Sequence, residues 1–199
     1  MIVDIKDLSF SYGEKEVLSH FNLRVRKGER LCIKAPSGFG KTTLLRLICG
    51  LEKPQSGSVE IPPETKISVV FQEDRLLPWL SVEKNLLFVM GNADEALVKK
   101  KAKECLSAVE LAEEAKSFPA ALSGGMARRA ALARALAAEW DLLLLDEPFS
   151  GIDQAKKEKI ASFMRRQFEG KTVILVSHDP EDAKLLGAET VELDLLAVK

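Results

Sequence analysis

The segment that most constrains the fold of this chain joins an apolar run, residues 31–33, to a helix-favouring run, residues 42–49, through the glycine-bearing stretch 35–43. A buried strand, a short loop and a helix N-terminus follow one another there. Backbone N–H groups of residues 38–43 would point into one concavity, and the helix dipole adds positive potential to it. Gly38 and Gly40 allow the backbone to approach an anion without a Cβ in the way. The pattern predicts a phosphate-binding site.

The loop matches the pattern G-x-x-x-x-G-K-[ST] except at its first position, where Ala35 replaces glycine. Alanine is tolerable there if its φ stays negative. Lys41 would reach the β- and γ-phosphates, and the Thr42 hydroxyl would ligate Mg²⁺. An ordinary Gly-Lys turn between strand and helix is the alternative. The nucleotide contacts are predicted at Ser37, Gly38, Phe39, Gly40, Lys41, Thr42 and Thr43.

Composition narrows the class of protein. The 199 residues carry a formal net charge of −1, which provides no electrostatic footprint for nucleic acid. The N-terminus is charged at once, and no apolar run approaches a membrane span, so a membrane role is expected to come through a partner. Three scattered cysteines without a C-x-x-C pair suggest reduced thiols in the cytoplasm. Strands alternating with helices in the second half predict a parallel α/β sheet.

A second constellation follows the run of four leucines at residues 142–145, where Asp146 and Glu147 end a predicted buried strand. Ligands bind open α/β sheets at this carboxyl edge. Asp146 would hold Mg²⁺, and Glu147 would orient the attacking water. Taken alone, the pair is better explained by a cap on the next turn, and it is the phosphate loop that favours the nucleotide interpretation.

Ser123, Gly124 and Gly125 open another predicted helix, with Ser123 at the N-cap. One nucleotide cannot readily use two helix N-termini within a chain of this size. A head-to-tail dimer, in which each Ser123 end closes over the partner's phosphate, resolves the conflict. The three arginines of this helix are expected to line its solvated or phosphate-facing sides, namely Arg128, Arg129 and Arg134.

These motifs, in this order, resemble the nucleotide-binding subunit of an ATP-binding-cassette (ABC) transporter. The resemblance implies a single domain over residues 1–199: a P-loop NTPase core with a parallel sheet, an N-terminal antiparallel β-subdomain (core and β-subdomain about 1–80 and 140–199) and an inserted α-helical subdomain (about 81–139). It implies ATP hydrolysis with Mg²⁺, and ATP-driven dimerisation that powers transport.

The resemblance also assigns roles to further residues. Tyr12 resembles the aromatic that stacks on adenine, and Gln72 the glutamine that touches Mg²⁺ and couples to the membrane subunit. His178 resembles the switch histidine at the γ-phosphate, and Asp153 belongs to the D-loop. The catalytic set is thus Glu147, His178 and Gln72; the metal set is Thr42, Gln72 and Asp146; the signature set, acting on the partner's nucleotide, is Ser123, Gly124, Gly125 and Met126.

One departure concerns the dimer. Met126 stands where the family usually has glutamine, and methionine cannot donate the same hydrogen bonds. Closure of the dimer is therefore expected to be weaker, which leaves pairing with a different cassette open beside a homodimer.

Residues 71–85 resemble the Q-loop region of importer ATPases for nitrate, sulfonates and taurine. The implied partners are transmembrane permease subunits and a solute-binding protein, and the implied location is the inner face of the plasma membrane. Trp79 and Leu80 would contact the permease, or Trp79 would be a core residue.

Two other functions share these motifs. A non-transport ABC ATPase acting on nucleic acid or chromosomes is disfavoured, because Lys41 and Ser123 are too close in sequence for a long coiled-coil insertion. A nucleotide-gated scaffold of a membrane or cell-division complex stays open, since only its partner would distinguish it.

Overall fold

The computed structural model describes residues 1–35, 38–91 and 94–192. The helices are α1 Lys41–Ile48, α2 Val82–Val89, α3 Glu95–Ala108, α4 Gly124–Ala137, α5 Gln154–Gln167 and α6 Pro180–Leu186. The strands are β1 Val3–Tyr12, β2 Lys15–Val25, β3 Arg30–Lys34, β4 Ser56–Glu60, β5 Ile67–Val70, β6 Leu142–Asp146, β7 Thr172–Val176 and β8 Glu189–Glu192.

A five-stranded sheet in the order β5-β6-β7-β3-β8 forms the centre of the molecule, and all its strand pairs are parallel. Every residue of β6 and β7 is buried. Parallel sheets are covered on both faces, which explains why these strands are apolar at almost every position rather than at alternate ones. The expected α/β core with a parallel sheet is confirmed.

The two faces of this sheet bury different partners. Leu142 and Leu144 pack with α1 and with β1 and β2 of the second sheet. Leu143 and Leu145 point the other way, into a core shared with α2 to α6. Because successive side chains of a strand alternate between faces, the run of leucines joins both cores. Helix α1, which follows the predicted phosphate loop, is thereby packed against the central sheet.

The second sheet is antiparallel, with the order β2-β1-β4, and confirms the expected N-terminal β-subdomain. The register of the β1–β4 pair shifts near Asp7 on β1, whose φ is 51°, and next to Ser56 on β4. Gly57 lies opposite this irregularity with φ +75°, and a Cβ there would be 2.3 Å from the Asp7 carbonyl oxygen. The close approach of two backbones therefore requires glycine at position 57.

Helices α2, α3 and α4 pack on one another. Ser81 and Ser123 cap α2 and α4 by accepting hydrogen bonds from the N–H groups of Lys84 and Met126. The exact division into subdomains near residues 80 and 140 stays a prediction. No helix in the described part of the chain is long and apolar enough to cross a membrane.

Gly57→Ala is expected to destabilise the chain more than Gly50→Ala, although both glycines have φ +75°. Gly50→Ala is the matched control. It incurs only the left-handed backbone cost of about 1–2 kcal/mol, because a Cβ at Gly50 meets nothing within 4 Å. At Gly57 the clash with the Asp7 carbonyl adds about 1–3 kcal/mol. Urea denaturation measures both, and equal losses would show that the β1–β4 contact does not require glycine.

Candidate functional site

A cavity of about 470 Å³ opens at the carboxyl edge of the parallel sheet. The sequence-predicted residues that line it are Tyr12, Gly38, Gly40, Lys41, Thr42, Thr43, Gln72, Asp146, Glu147 and His178. Lys15 and Val17 also line it and were not predicted, and Ser150, from the segment that resembles the D-loop, lines it too. Lys15 and Val17 follow the β1–β2 turn, and no local pattern marks them, because only the packing of β2 over the loop brings them there.

The loop before α1 has the backbone form that its glycines suggest. Gly38 and Gly40 have φ of 87° and 78°. A Cβ on Gly40 would lie 2.5 Å from the Val17 Cγ1, so this glycine also permits a close approach of β2. Ala35 is not among the positive-φ residues of the described chain, which explains how alanine is accommodated. Ser37 lies outside the described residues, and Phe39 is 47% exposed and does not line the cavity.

Lys41 is the first residue of α1, at the positive end of the helix dipole. Its ammonium group donates to the Ala35 carbonyl over 2.7 Å. That contact folds the lysine back over the loop. A phosphate group in the cavity would compete with the carbonyl for the same charge, and as an anion it is the stronger acceptor.

Thr42 and Asp146 form the part of the site that suits a divalent cation. The Thr42 hydroxyl donates to the Asp146 Oδ2 over 2.6 Å, across the gap between α1 and the end of β6. Asp146 is 1% exposed, and burial raises the pKa of its carboxyl group. Among the described residues, no group of three or more His, Cys, Asp or Glu side chains is arranged so that it could hold a metal ion by itself. One carboxylate and one hydroxyl fit Mg²⁺, which keeps waters and phosphate oxygens as its other ligands.

Glu147 is held by the strand beside it. Its φ is 47°, and its N–H donates to the Val176 carbonyl over 2.9 Å. Its carboxylate accepts from the His178 N–H over 3.2 Å and lies 2.9 Å from the His178 Nδ1. This contact raises the pKa of the mostly exposed His178 imidazole. A non-glycine residue in the left-handed region is strained, and such strain concentrates at functional sites.

Tyr12 and Gln72 both line the cavity, Tyr12 from the end of β1 and Gln72 from just after β5. Tyr12 is 43% exposed, packs edge-on against Phe10 with ring centroids 4.9 Å apart, and donates from its hydroxyl to Glu52 over 3.3 Å. The partly exposed ring of Tyr12 is therefore accessible from solvent. Gln72 is exposed and lines the cavity.

The signature residues lie away from the cavity of their own chain. None of the four lines it, and Ser123 and Gly124 are exposed. A Cβ on Gly125 would be 2.8 Å from the Gly151 carbonyl oxygen, so α4 begins in close contact with the segment after β6. Asp153 in that segment caps α5 by accepting from the Lys156 N–H, and it does not line the cavity either.

The expectation for the arginines of α4 is wrong for Arg128 and Arg129. Arg128 is 3% exposed and Arg129 is 9% exposed. Arg129 donates to the Val109 and Glu110 carbonyls. Arg128 joins the start of α4 to the ends of β5 and β6, with acceptors on Phe71, Gln72, Asp74, Asp146, Glu147 and Pro148. Carbonyl groups at strand ends satisfy the buried charge, a condition that periodicity in the sequence does not reveal.

The His178–Glu147 contact predicts a pH dependence of stability. Since the folded-state pKa of His178 is raised above 6.5, its ion pair stabilises the fold in mildly acid solution, and the contribution is lost as pH rises through the folded-state pKa. His178→Gln is therefore expected to be destabilising below pH 6.5 and close to neutral in alkaline solution. Urea denaturation of both proteins across this range measures the difference; a difference that grows with pH would contradict the pairing.

Comparison with known proteins agrees with this geometry. The chain is 39% identical to the aliphatic sulfonates import ATP-binding protein SsuB 2 of Burkholderia cenocepacia, over 96% of this chain and 73% of that protein. It is 40% identical to the corresponding SsuB of Bacillus subtilis, over 94% and 77%.

Solved structures agree as well. A dimeric ATP-binding cassette in a post-hydrolysis state, bound to ADP and Pi, superposes with a TM-score of 0.84 at 32% identity, covering 96% of this chain and 93% of that one. A dimeric bacterial ABC transporter cassette has a TM-score of 0.85 at 32% identity, covering 96% and 94%. The family profile described as ABC transporter matches residues 18–150. The chain therefore belongs to the ABC transporter family, as one of its ATP-hydrolysing cassette subunits.

Proposed function

We propose that this chain powers an importer of aliphatic sulfonates or similarly small organic anions by binding and hydrolysing ATP with Mg²⁺. The observation that carries the proposal is the cavity in which the phosphate loop, the Thr42–Asp146 pair and the Glu147–His178 pair meet. The solute class rests on the printed names of relatives about 40% identical along nearly the whole chain.

In this site, Lys41 and the N–H groups at the start of α1 bind the phosphates. Thr42, Asp146 and Gln72 would hold Mg²⁺, which neutralises charge on the β- and γ-phosphates when bound. The burial of Asp146 favours cation binding, because a cation offsets the desolvation of its carboxylate. The Thr42 hydroxyl, now donating to Asp146, would turn its oxygen toward the metal.

Glu147 orients the attacking water and accepts its proton, and His178 holds the Glu147 carboxylate from the side. The 2.9 Å contact and the adjacent backbone N–H together fix the carboxylate direction. A charged imidazole beside the γ-phosphate would also stabilise negative charge that develops there. Tyr12 supplies an exposed aromatic ring in the cavity lining for the adenine base.

Two copies of the chain are expected to close over two nucleotides. Ser123 to Met126 lie outside the cavity of their own chain, with the first two residues exposed, so a partner can reach them. The start of α4 offers backbone N–H groups and a helix dipole to the partner's γ-phosphate. Asp153 lies in the segment that touches Gly125 and would lie at the same interface. Binding of ATP between the copies biases them toward the closed dimer.

Transport requires transmembrane permease subunits, and a solute-binding protein is expected to deliver the solute. Trp79 is 69% exposed, in the segment between β5 and α2, so it is not a core residue. Large exposed aromatic side chains are frequent anchors of interfaces. Through this contact the chain would reside on the cytoplasmic face of the plasma membrane.

Glu147→Gln is expected to reduce ATP hydrolysis about 100-fold or more, because it removes the group that accepts the proton from water. The variant should accumulate as an ATP-bound dimer, since the substitution keeps the size of the side chain and removes its charge from the closed interface. Hydrolysis assays and mass measurement in ATP and Mg²⁺ test both effects. Glu181→Gln on α6 is the control and should behave as wild type.

A Glu147→Gln variant that hydrolyses ATP at the wild-type rate would refute the catalytic assignment. Absence of the dimer in both ATP-loaded proteins would refute closure between two copies and favour a different cassette as the partner, consistent with Met126.

Trp79→Ala is expected to weaken binding to the transmembrane subunits of a sulfonate-type importer about tenfold or more, as loss of an interface anchor does. Leu97→Ala on α3, where Leu97 is 66% exposed, is the matched control. Affinity measured with the purified permease in detergent or nanodiscs decides between them. Equal binding by wild type and Trp79→Ala would remove Trp79 from the docking surface.

A further inference from the structure

A buried carboxyl group lies behind the catalytic pair. Asp182 on α6 is 2% exposed, and its Oδ1 has no hydrogen-bond partner. The nearest cation is the Lys157 ammonium, 3.7 Å from Oδ1. Burial raises the pKa of Asp182. A buried carboxyl group with an unsatisfied oxygen costs stability, so its presence calls for an explanation.

Ser177 connects Asp182 to the site. Its Oγ lies 2.7 Å from the Asp182 Oδ2 and 3.2 Å from the Glu147 Oε2, while the Asp179 N–H donates to the same Oγ over 3.1 Å. Ser177 is fully buried. A hydroxyl has one hydrogen, so it can donate to only one of the two carboxylates at a time. The shorter contact assigns that hydrogen to Asp182.

We propose that Asp182 is a positioning residue for catalysis: it holds the hydroxyl hydrogen of Ser177 and so keeps that hydrogen off the Glu147 carboxylate. This inference rests on the proposed role of Glu147. A carboxylate that accepts fewer hydrogen bonds is a stronger base, because hydrogen bonds stabilise its charged form. Asp182 thus favours proton transfer from the attacking water without touching the nucleotide, and neither Ser177 nor Asp182 lines the cavity.

The charges around Asp182 decide how it responds to substitution. The groups that face it are Lys157 from α5, Cys32 from β3, Glu147 from the end of β6, and His178 and Asp179 from the segment before α6. Lys157 is the cation that forms an ion pair with Asp182. In Asp182→Asn, Lys157 would attract the amide oxygen at the Oδ1 position, leaving the NH₂ group to donate to Ser177. The Ser177 hydroxyl would then turn and donate to the Glu147 Oε2.

Four proteins test this reversal: wild type, Ser177→Ala, Asp182→Asn and the double variant. Asp182→Asn should lower kcat about three- to tenfold, the rate equivalent of one added hydrogen bond on the base, with the KM for ATP unchanged. Ser177→Ala should keep kcat near wild type, because Glu147 receives no hydrogen bond from Ser177 in wild type. In the Asp182→Asn background, Ser177→Ala should raise kcat, since it removes the reversed donor.

The raised kcat of the double variant separates positioning from structural support. A merely structural role would make the double variant the slowest of the four. Any loss from the removed charge is common to both Asp182→Asn proteins and cannot produce the recovery. Glu181→Gln, an exposed change on the same helix, is the control. Unchanged kcat in Asp182→Asn, or no recovery on adding Ser177→Ala, overturns the proposal.

A second measurement does not depend on hydrolysis. The chain has 2 histidines, so NMR can follow the imidazole of His178 in each protein without nucleotide. In Asp182→Asn, the Ser177 hydroxyl would compete with His178 for the Glu147 Oε2, so adding Ser177→Ala to this variant should raise the His178 pKa. In wild type the same substitution should leave it unchanged.

The two measurements distinguish the possible failures. If the expected His178 pKa changes occur but Glu147→Gln is fully active, the proposed role of Glu147 is refuted. The turn of the Ser177 hydroxyl from Asp182 to Glu147, called here the Ser177 switch, is then retained. Absence of both patterns, with Glu147→Gln inactive, would refute the switch alone.

Discussion

The hydrogen bond between the Thr42 hydroxyl and the buried Asp146 carboxylate joins the first turn of α1 to the end of β6. It depends on the parallel sheet, because only parallel strands bring the end of β6 and the loop after β3 to the same edge. The alternating leucines of β6 hold this edge in place by packing against both cores. A cation bound at this pair would replace the Thr42–Asp146 hydrogen bond by metal coordination. Nucleotide binding would then be coupled to the core of the fold.

Arg128 extends this link to the helical part of the chain. Its buried guanidinium group accepts no hydrogen bonds and needs several acceptors, which the carbonyl groups after β5 and β6 provide. The start of α4, with the signature residues, is thereby tied to the backbone of Asp146 and Glu147. A movement of α4 on dimer closure would therefore displace the backbone of Asp146 and Glu147, the residues proposed for the metal and the water.

The strain at Glu147 and the buried charge at Asp182 are costs of the same kind. Glu147 has a positive φ, and Asp182 keeps one oxygen unsatisfied in the interior. Both adjoin Ser177. Natural proteins accept such local costs where a reacting group must be held in one direction, and the surrounding strands and α6 supply the packing that offsets them.

The phosphate loop, the acids after β6 and the α/β class could all be predicted from sequence, because each depends on neighbouring residues and on a period of two or 3.6. The first position of the loop could not be judged, since the φ of Ala35 depends on the packed loop. Arg128 was misjudged because its acceptors come from strands far away in sequence, and the Asp182–Ser177–Glu147 contacts likewise cross from β6 to α6. Sequence alone determined which chemical groups this chain carries and in what order; tertiary structure decided which of them share one proton or one buried charge, because those interactions act through space over about 3 Å and not along the chain.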